Sequence, residues 1–178
     1  MRLSYSLGSL LTINQILECS KKLNKFKPDT LWIPETWGME NFSILSLACM
    51  ENKFSKIGSS IINIYSRSPS LIAMGAATVD TISNKRLVLG LGTSTRPLIE
   101  DFHGDKFENP VKRMKECVEI IRLILTGKQI NYSGEIFSLK DFSLLIKPPR
   151  NTIPIYLAAV NQKMVELAWE IADGVIFY

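Results

Sequence analysis

The sequence has no apolar run long enough to cross a bilayer, and its start, Met1-Arg2-Leu3-Ser4-Tyr5-Ser6-Leu7, lacks a signal-peptide layout. These two absences lead us to expect a cytoplasmic protein with no membrane partner. Cysteine is scarce. Cys19, Cys49 and Cys117 are far apart and lack metal-ligand spacing, so a metal centre is not expected and buried or half-buried reduced thiols are. Histidine is scarcer still: His103 stands alone, without Ser, Cys or carboxylate partners at useful spacing, and a structural role is expected for it. The net charge is +4, but the basic residues are scattered, with Lys21-Lys22, Lys85-Arg86 and Lys112-Arg113 as the closest pairs. No basic stripe is interleaved with aromatics, which speaks against a nucleic-acid partner and leaves mild attraction for an anionic small molecule.

What is present is an ordinary globular composition, 46% hydrophobic and 21% charged over 178 residues, enough to bury one core, so residues 1–178 are expected to form a single domain. Short β-rich runs alternate with helical patterns. Residues 3–7 read as a strand, and Thr12 with Gln15 forms a capping-box signature for a first helix bearing Ile13, Ile16, Leu17 and Leu23. Residues 30–33 form a second strand, followed by a helix from about Asn41 with Ile44, Leu45, Leu47 and Ala48 inward. The run 57–64 is continuously apolar on one side, as buried parallel strands are.

Ser68-Pro69 places a cap and a helix-starting proline in the favoured order, for a third helix carrying Ile72, Ala76, Val79 and Ile82. Residues 86–92 form a fourth strand. Asn109-Pro110 is read as the cap of a fourth helix that ends at Gly127, and residues 129–139 form a small hairpin turning at Ser133-Gly134. A fifth strand over 153–158, a fifth helix over 162–172 and a sixth strand over 175–178 complete the order. Repeated βα units imply a parallel sheet, either an open doubly wound one or a barrel. A complete barrel needs eight units and typically about 250 residues, so the barrel reading predicts an incomplete TIM (β/α)8-type barrel of about six parallel strands, with flanking helices and a small β-hairpin insertion.

The stretches after the strand tips are distinctive as a set. They are Trp32-Ile33-Pro34-Glu35-Thr36-Trp37, then Gly58 through Pro69, then Leu89-Gly90-Leu91-Gly92-Thr93-Ser94, and last Ile155-Tyr156-Leu157-Ala158-Ala159-Val160. Their order and spacing resemble the bacterial luciferase-like superfamily, and within it the coenzyme F420-dependent branch typified by methylenetetrahydromethanopterin reductase. The resemblance implies a TIM barrel that binds F420 (or FMN, in the alternative), works as an oxidoreductase on a small-molecule substrate, and forms oligomers. Glu35 and Thr36 stand where the family places an acidic residue and a histidine near the flavin ring, a position suited to hydrogen bonding or proton transfer. Ser60-Ile61 match a bulge with a non-proline cis peptide behind the ring, with Asn63 nearby. Gly92, Thr93 and Ser94 match a loop against the ring, where glycine permits close approach and hydroxyls donate. Ala159 and Val160 match a loop whose backbone amides hold the cofactor tail, and Asn161 is expected to cap the next helix.

Three departures bear on activity. Thr36 replaces the usual histidine, Thr95-Arg96 occupy the place of an acidic proton donor, and Ser6 stands where the reductases carry glutamate. The resemblance also implies that the last βα units of the barrel are missing. Exposed sheet edges invite pairing, so association with a second copy or with a complementing subunit is expected. Three functions compete: hydride transfer with F420, FMN-dependent monooxygenation, and a non-catalytic binding or assembly role.

Overall fold

The computed structural model describes residues 3–177. Tyr178, expected to end the last strand, lies outside them, as do Met1 and Arg2. The elements follow in the order β1 (Tyr5–Ser6), α1 (Ile13–Lys22), β2 (Thr30–Ile33), α2 (Asn41–Glu51), β3 (Lys56–Ser59), β4 (Ile62–Asn63), α3 (Pro69–Ile82), β5 (Leu87–Gly92), α4 (Pro110–Leu125), β6 (Ile130–Ser133), β7 (Ser138–Phe142), β8 (Ile155–Ala159), α5 (Gln162–Ile171) and β9 (Gly174–Phe177). No helix among the described residues is long and apolar enough to cross a membrane.

Local chemistry starts most of these helices. The Thr12 amide donates to Gln15 Oε1 at 2.8 Å while Thr12 Oγ1 accepts from the Gln15 amide, a reciprocal cap on α1. Ser68 Oγ accepts from the Leu71 amide at 3.2 Å with Pro69 in the first turn of α3, and Asn161 Oδ1 accepts from the Met164 amide at 3.1 Å to cap α5. Asn109 departs from expectation. Its backbone is left-handed (φ +48°) and its side chain accepts no helix amide, so α4 begins at Pro110 on ring geometry alone. Ile13, expected on the apolar face of α1, is exposed, and so are two residues expected inward on the next helices, Leu47 on α2 and Ile82 on α3. The latter two helices are apolar around most of their circumference, so periodicity could not choose a face.

The strands decide the architecture. The main sheet runs β1-β2-β3-β5-β8-β9 in sequence order, and every pairing in it is parallel. A doubly wound sheet reverses its strand order at a switch point, and this one never does. It therefore winds in one direction, with helices on one side only. Residues Leu31, Ile33, Ile57, Leu87, Leu89, Leu91, Ile155 and Leu157 form one face of it and are buried under the helices. The alternate residues, including Ser6, Trp32, Gly58, Gly90, Tyr156 and Gly174, share the other face through the pairing register.

That second face is concave. Trp32 and Tyr156 sit three strands apart, roughly 14 Å on a flat sheet, yet their ring centroids are 5.7 Å apart. Glycine makes the space: a Cβ on Gly58 would collide with the Trp32 ring, and one on Gly174 would stand 2.7 Å from the Tyr156 ring. The result is an open, incomplete TIM barrel with two aromatic side chains laid across its interior. The small hairpin β6–β7 lies apart from the main sheet. The buried Glu116 carboxylate accepts from the amides of Glu135, Ile136 and Phe137 and holds its turn.

Candidate functional site

Because all main-sheet strands are parallel, their carboxy-terminal ends emerge on one rim. The run expected as one strand over 57–64 is divided here. Gly58 pairs with Val88 and Ile62 with Leu91, so four steps on one strand face three on the other, leaving one extra residue. This is a bulge, and it bends the chain at the rim. The Ser60–Ile61 peptide within it is cis, as the resemblance implied. Ser59 bridges the break: its hydroxyl accepts from the Gly90 amide at 2.8 Å and donates to the Gly90 carbonyl at 2.9 Å.

The residues singled out from the sequence emerge on this rim. Ile33 pairs with Ser59, Asn63 with Gly92, and Ala159 with Phe177, so the loops carrying Glu35-Thr36, Ser60-Ile61-Asn63, Gly92-Thr93-Ser94 and Ala159-Val160 leave neighbouring strand tips. Three of these residues line cavities, Ser60 one and Glu35 with Thr36 another, whereas Ile61, Asn63, Gly92, Thr93, Ser94, Ala159 and Val160 line neither. One, of about 350 Å³, opens on the concave face and is lined by Ser6, Trp32, Ser60, Tyr156 and Ile176 among others. The second, of about 360 Å³, is lined by Glu35, Thr36, Trp37, Ser66, Arg67, Phe102 and His103 among others. The Gly92 backbone is covered by the Ile61 side chain, 2.6 Å from where a Cβ would stand. Ser94 holds φ +60°, a conformation few non-glycine residues adopt. Ala159 is buried, whereas Val160 is exposed.

Glu35 reaches its cavity already bound. Arg67 donates to both of its oxygens, Nη1 to Oε2 at 2.8 Å and Nη2 to Oε1 at 2.6 Å, and the Asn41 amide adds a third bond at 3.0 Å. Arg67 also reaches Glu40 at 2.7 Å. Burial works against the charge of Arg67, but the two carboxylates outweigh it and hold its pKa above the ordinary value. Burial likewise opposes ionisation of Glu40, yet the Ser43 and Phe42 amides and Arg67 keep its pKa below the usual range. The rim thus contains a carboxylate–guanidinium–carboxylate set of net charge −1. Thr36 lines the second cavity, and Thr93 and Ser94 are half-buried on the loop after β5.

Sequence reading did not assign two members of this rim. Arg67 was visible in Ser66-Arg67-Ser68-Pro69 but could be tied to Glu35 only through the fold, 32 residues away. His103, expected to be structural, lines the second cavity, and Asn63 Nδ2 lies 3.2 Å from its Nε2. A larger cavity, about 550 Å³ between the end of α4 and the segment entering β8, is at the opposite end of the sheet and touches none of these residues. The three cysteines are free, and burial pushes the Cys117 thiol up to about 12, which leaves it inert. No cluster of metal-ligating side chains occurs among the described residues.

The family model described as luciferase-like monooxygenase matches residues 2–178. The chain is 39% identical over 149 residues to a 5,10-methylenetetrahydromethanopterin reductase of Archaeoglobus fulgidus, covering 83% of this chain and 44% of that protein. Among solved structures, the coenzyme F420-dependent tetrahydromethanopterin reductase of Methanopyrus kandleri shares the fold with a TM-score of 0.89 at 23% identity, over 99% of this chain and 55% of that one. The FMN complex of the oxygenating constituent of a 3,6-diketocamphane monooxygenase of Pseudomonas putida aligns with a TM-score of 0.76 at 14% identity, over 89% and 51%. The chain spans about half the length of the curated relatives it matches. On sequence and fold together, it belongs to the luciferase-like monooxygenase family.

Proposed function

We propose that this chain carries the cofactor rim of a coenzyme F420-dependent oxidoreductase, which moves a hydride between the deazaflavin and a small organic substrate. The observation that carries the reading is the convergence of four separate loops on one rim, in a chain 39% identical to a 5,10-methylenetetrahydromethanopterin reductase and 32% identical to a putative coenzyme F420-dependent oxidoreductase. The group fits the residues present. The apolar side chain of Ile61, which packs over Gly92, and that of Ile176 offer a surface for a flat ring. Ser60, Ile61 and Asn63 would stand behind the ring, Gly92, Thr93 and Ser94 at its edge, and the backbone of Ala159 and Val160 along its tail. When bound, the deazaflavin supplies reversible hydride exchange at its ring carbon.

The chain's own part is placement. The Arg67 clamp fixes the Glu35 loop so that Thr36 can donate across the second cavity. Glu35 and Thr36 take the catalytic edge in this reading. Titrating purified protein with F420 is expected to perturb the cofactor's absorbance and fluorescence saturably. A response to FMN alone would turn the reading toward the monooxygenases, and a folded sample silent to both cofactors would sink it in favour of a non-catalytic role.

We also propose that the assembling partner is a second copy. Leu71, Met74 and Ile82 line the outer face of α3 and Leu47 and Met50 that of α2, and all five are exposed. No charged residue occurs in α2 before Glu51 or in α3 before Asp80, and Asp80 is buried. Helices apolar all round belong in an interior, and a self-complementary patch closes most simply as a dimer. Met74→Glu is expected to shift the species seen in size-exclusion chromatography from dimer to monomer. A wild-type monomer at every concentration tested would refute the dimer.

A further inference from the structure

The cavity holding Glu35 and Thr36 also holds His103, and the atoms beside that ring bear on which of its nitrogens donates. Asn63, at the end of β4, is 5% exposed. Its Oδ1 accepts from the amides of Tyr65 at 2.7 Å and Ser66 at 3.0 Å. Two donors on one oxygen fix which way round the side-chain amide sits, since the flipped form would set its NH₂ against two N–H groups. The group facing His103 Nε2 at 3.2 Å is therefore Nδ2, which can only donate. A ring nitrogen that accepts carries no proton. The neutral imidazole thus keeps its proton on Nδ1.

Other contacts steady the ring. Phe102 packs edge-on against it with centroids 4.9 Å apart, and the His103 amide closes the π-helical turn 98–102 by donating to the Leu98 carbonyl at 3.2 Å. The charged groups on the surrounding elements are Glu35, Arg67 and Glu40 across the cavity, with Glu100 and Asp101 on its own turn. None of them hydrogen-bonds the ring, and among the described residues Nδ1–H has no acceptor.

We infer that His103 is a tautomer-fixed hydrogen-bond donor, whose Nδ1–H is offered to a carbonyl-type oxygen of the ring system bound at the rim. It acts through Nδ1, because Nε2 is occupied by Asn63. This inference rests on the cofactor reading above.

One histidine in the chain makes the test clean. In untagged protein labelled with ¹⁵N-histidine, NMR is expected to show one proton-bearing nitrogen, Nδ1, and one bare acceptor, Nε2, before any ligand is added. Asn63→Asp keeps an oxygen for the Tyr65 and Ser66 amides but turns the group facing the ring into an acceptor. The two nitrogens should then exchange character, with the proton on Nε2. Adding F420 to wild type should move the Nδ1 signal, and His103→Phe should weaken F420 binding by about 3- to 10-fold, the scale of one lost hydrogen bond. A proton on Nε2 in the unliganded wild type overturns the inference. So does a stationary Nδ1 signal while the absorbance change reports binding. Absorbance unmoved by either F420 or FMN removes the functional reading itself, and this inference goes with it.

Discussion

Asp80→Ala should lower the unfolding free energy by about 3–5 kcal/mol, the scale expected when one partner of a buried ion pair is deleted. Asp80 sits on α3 with no exposed surface. Its carboxylate accepts from Arg150 Nε at 2.9 Å and Nη2 at 2.7 Å, and from the Leu87 amide at 3.2 Å where β5 begins. Arg150 in turn donates to the Leu87 carbonyl at 2.7 Å. The pair ties the long segment after β7 to the entry of the sheet's middle strand. Without Asp80, the guanidinium is left three-quarters buried with its charge uncompensated, and the first rung of β5 loses a bond. Urea denaturation measures the effect. The double variant Asp80→Leu/Arg150→Met should be less destabilised than the single one, because it removes both charges together. A single variant within about 0.5 kcal/mol of wild type would show that the pair contributes no net stability.

How much of this was legible beforehand follows from distance along the chain. The caps at Thr12, Ser68 and Asn161 are chemistry between residues three apart, and each forms as read. Asn109 looked the same but is not a cap, since a left-handed backbone there is set by the loop before it, not by its own type. The βα alternation was plain, whereas barrel against open sheet was not, because strand order is a property of pairing and not of sequence period. The rim was located through the resemblance, and its loops do leave neighbouring parallel strands. What joins them was hidden: Glu35 with Arg67 across 32 residues, Asn63 with His103 across 40. Nothing local marks such pairs. Leu47 and Ile82 were misplaced for the opposite reason, in that helices apolar all round carry no signal of which side faces the core.

The second large effect concerns a glycine at the bulge. Gly90 faces the concave side of β5, and a Cβ there would press into the Ser59 carbonyl oxygen, a backbone atom with no rotamer to retreat into, with Ile176 Cδ1 another 3.2 Å away. Ser59 is held to Gly90 by two hydrogen bonds, so neither strand can slide without breaking them. Gly90→Ala is therefore expected to cost about 1–3 kcal/mol or more through overpacking. Ser60 and Ile61 follow Ser59 directly, so the strain also reaches the rim, and F420 binding should fall at least about 10-fold, as for a loss near 1.4 kcal/mol. Gly8→Ala, whose Cβ would meet nothing within 4 Å, separates this steric effect from the general consequence of replacing a glycine. If Gly90→Ala unfolds at the same urea concentration as Gly8→Ala and binds the cofactor equally well, the Ser59–Gly90 contact does not set the shape of the rim. If it is destabilised yet binds normally, the bulge moves as a unit and the pocket is shaped from the Gly92 side instead.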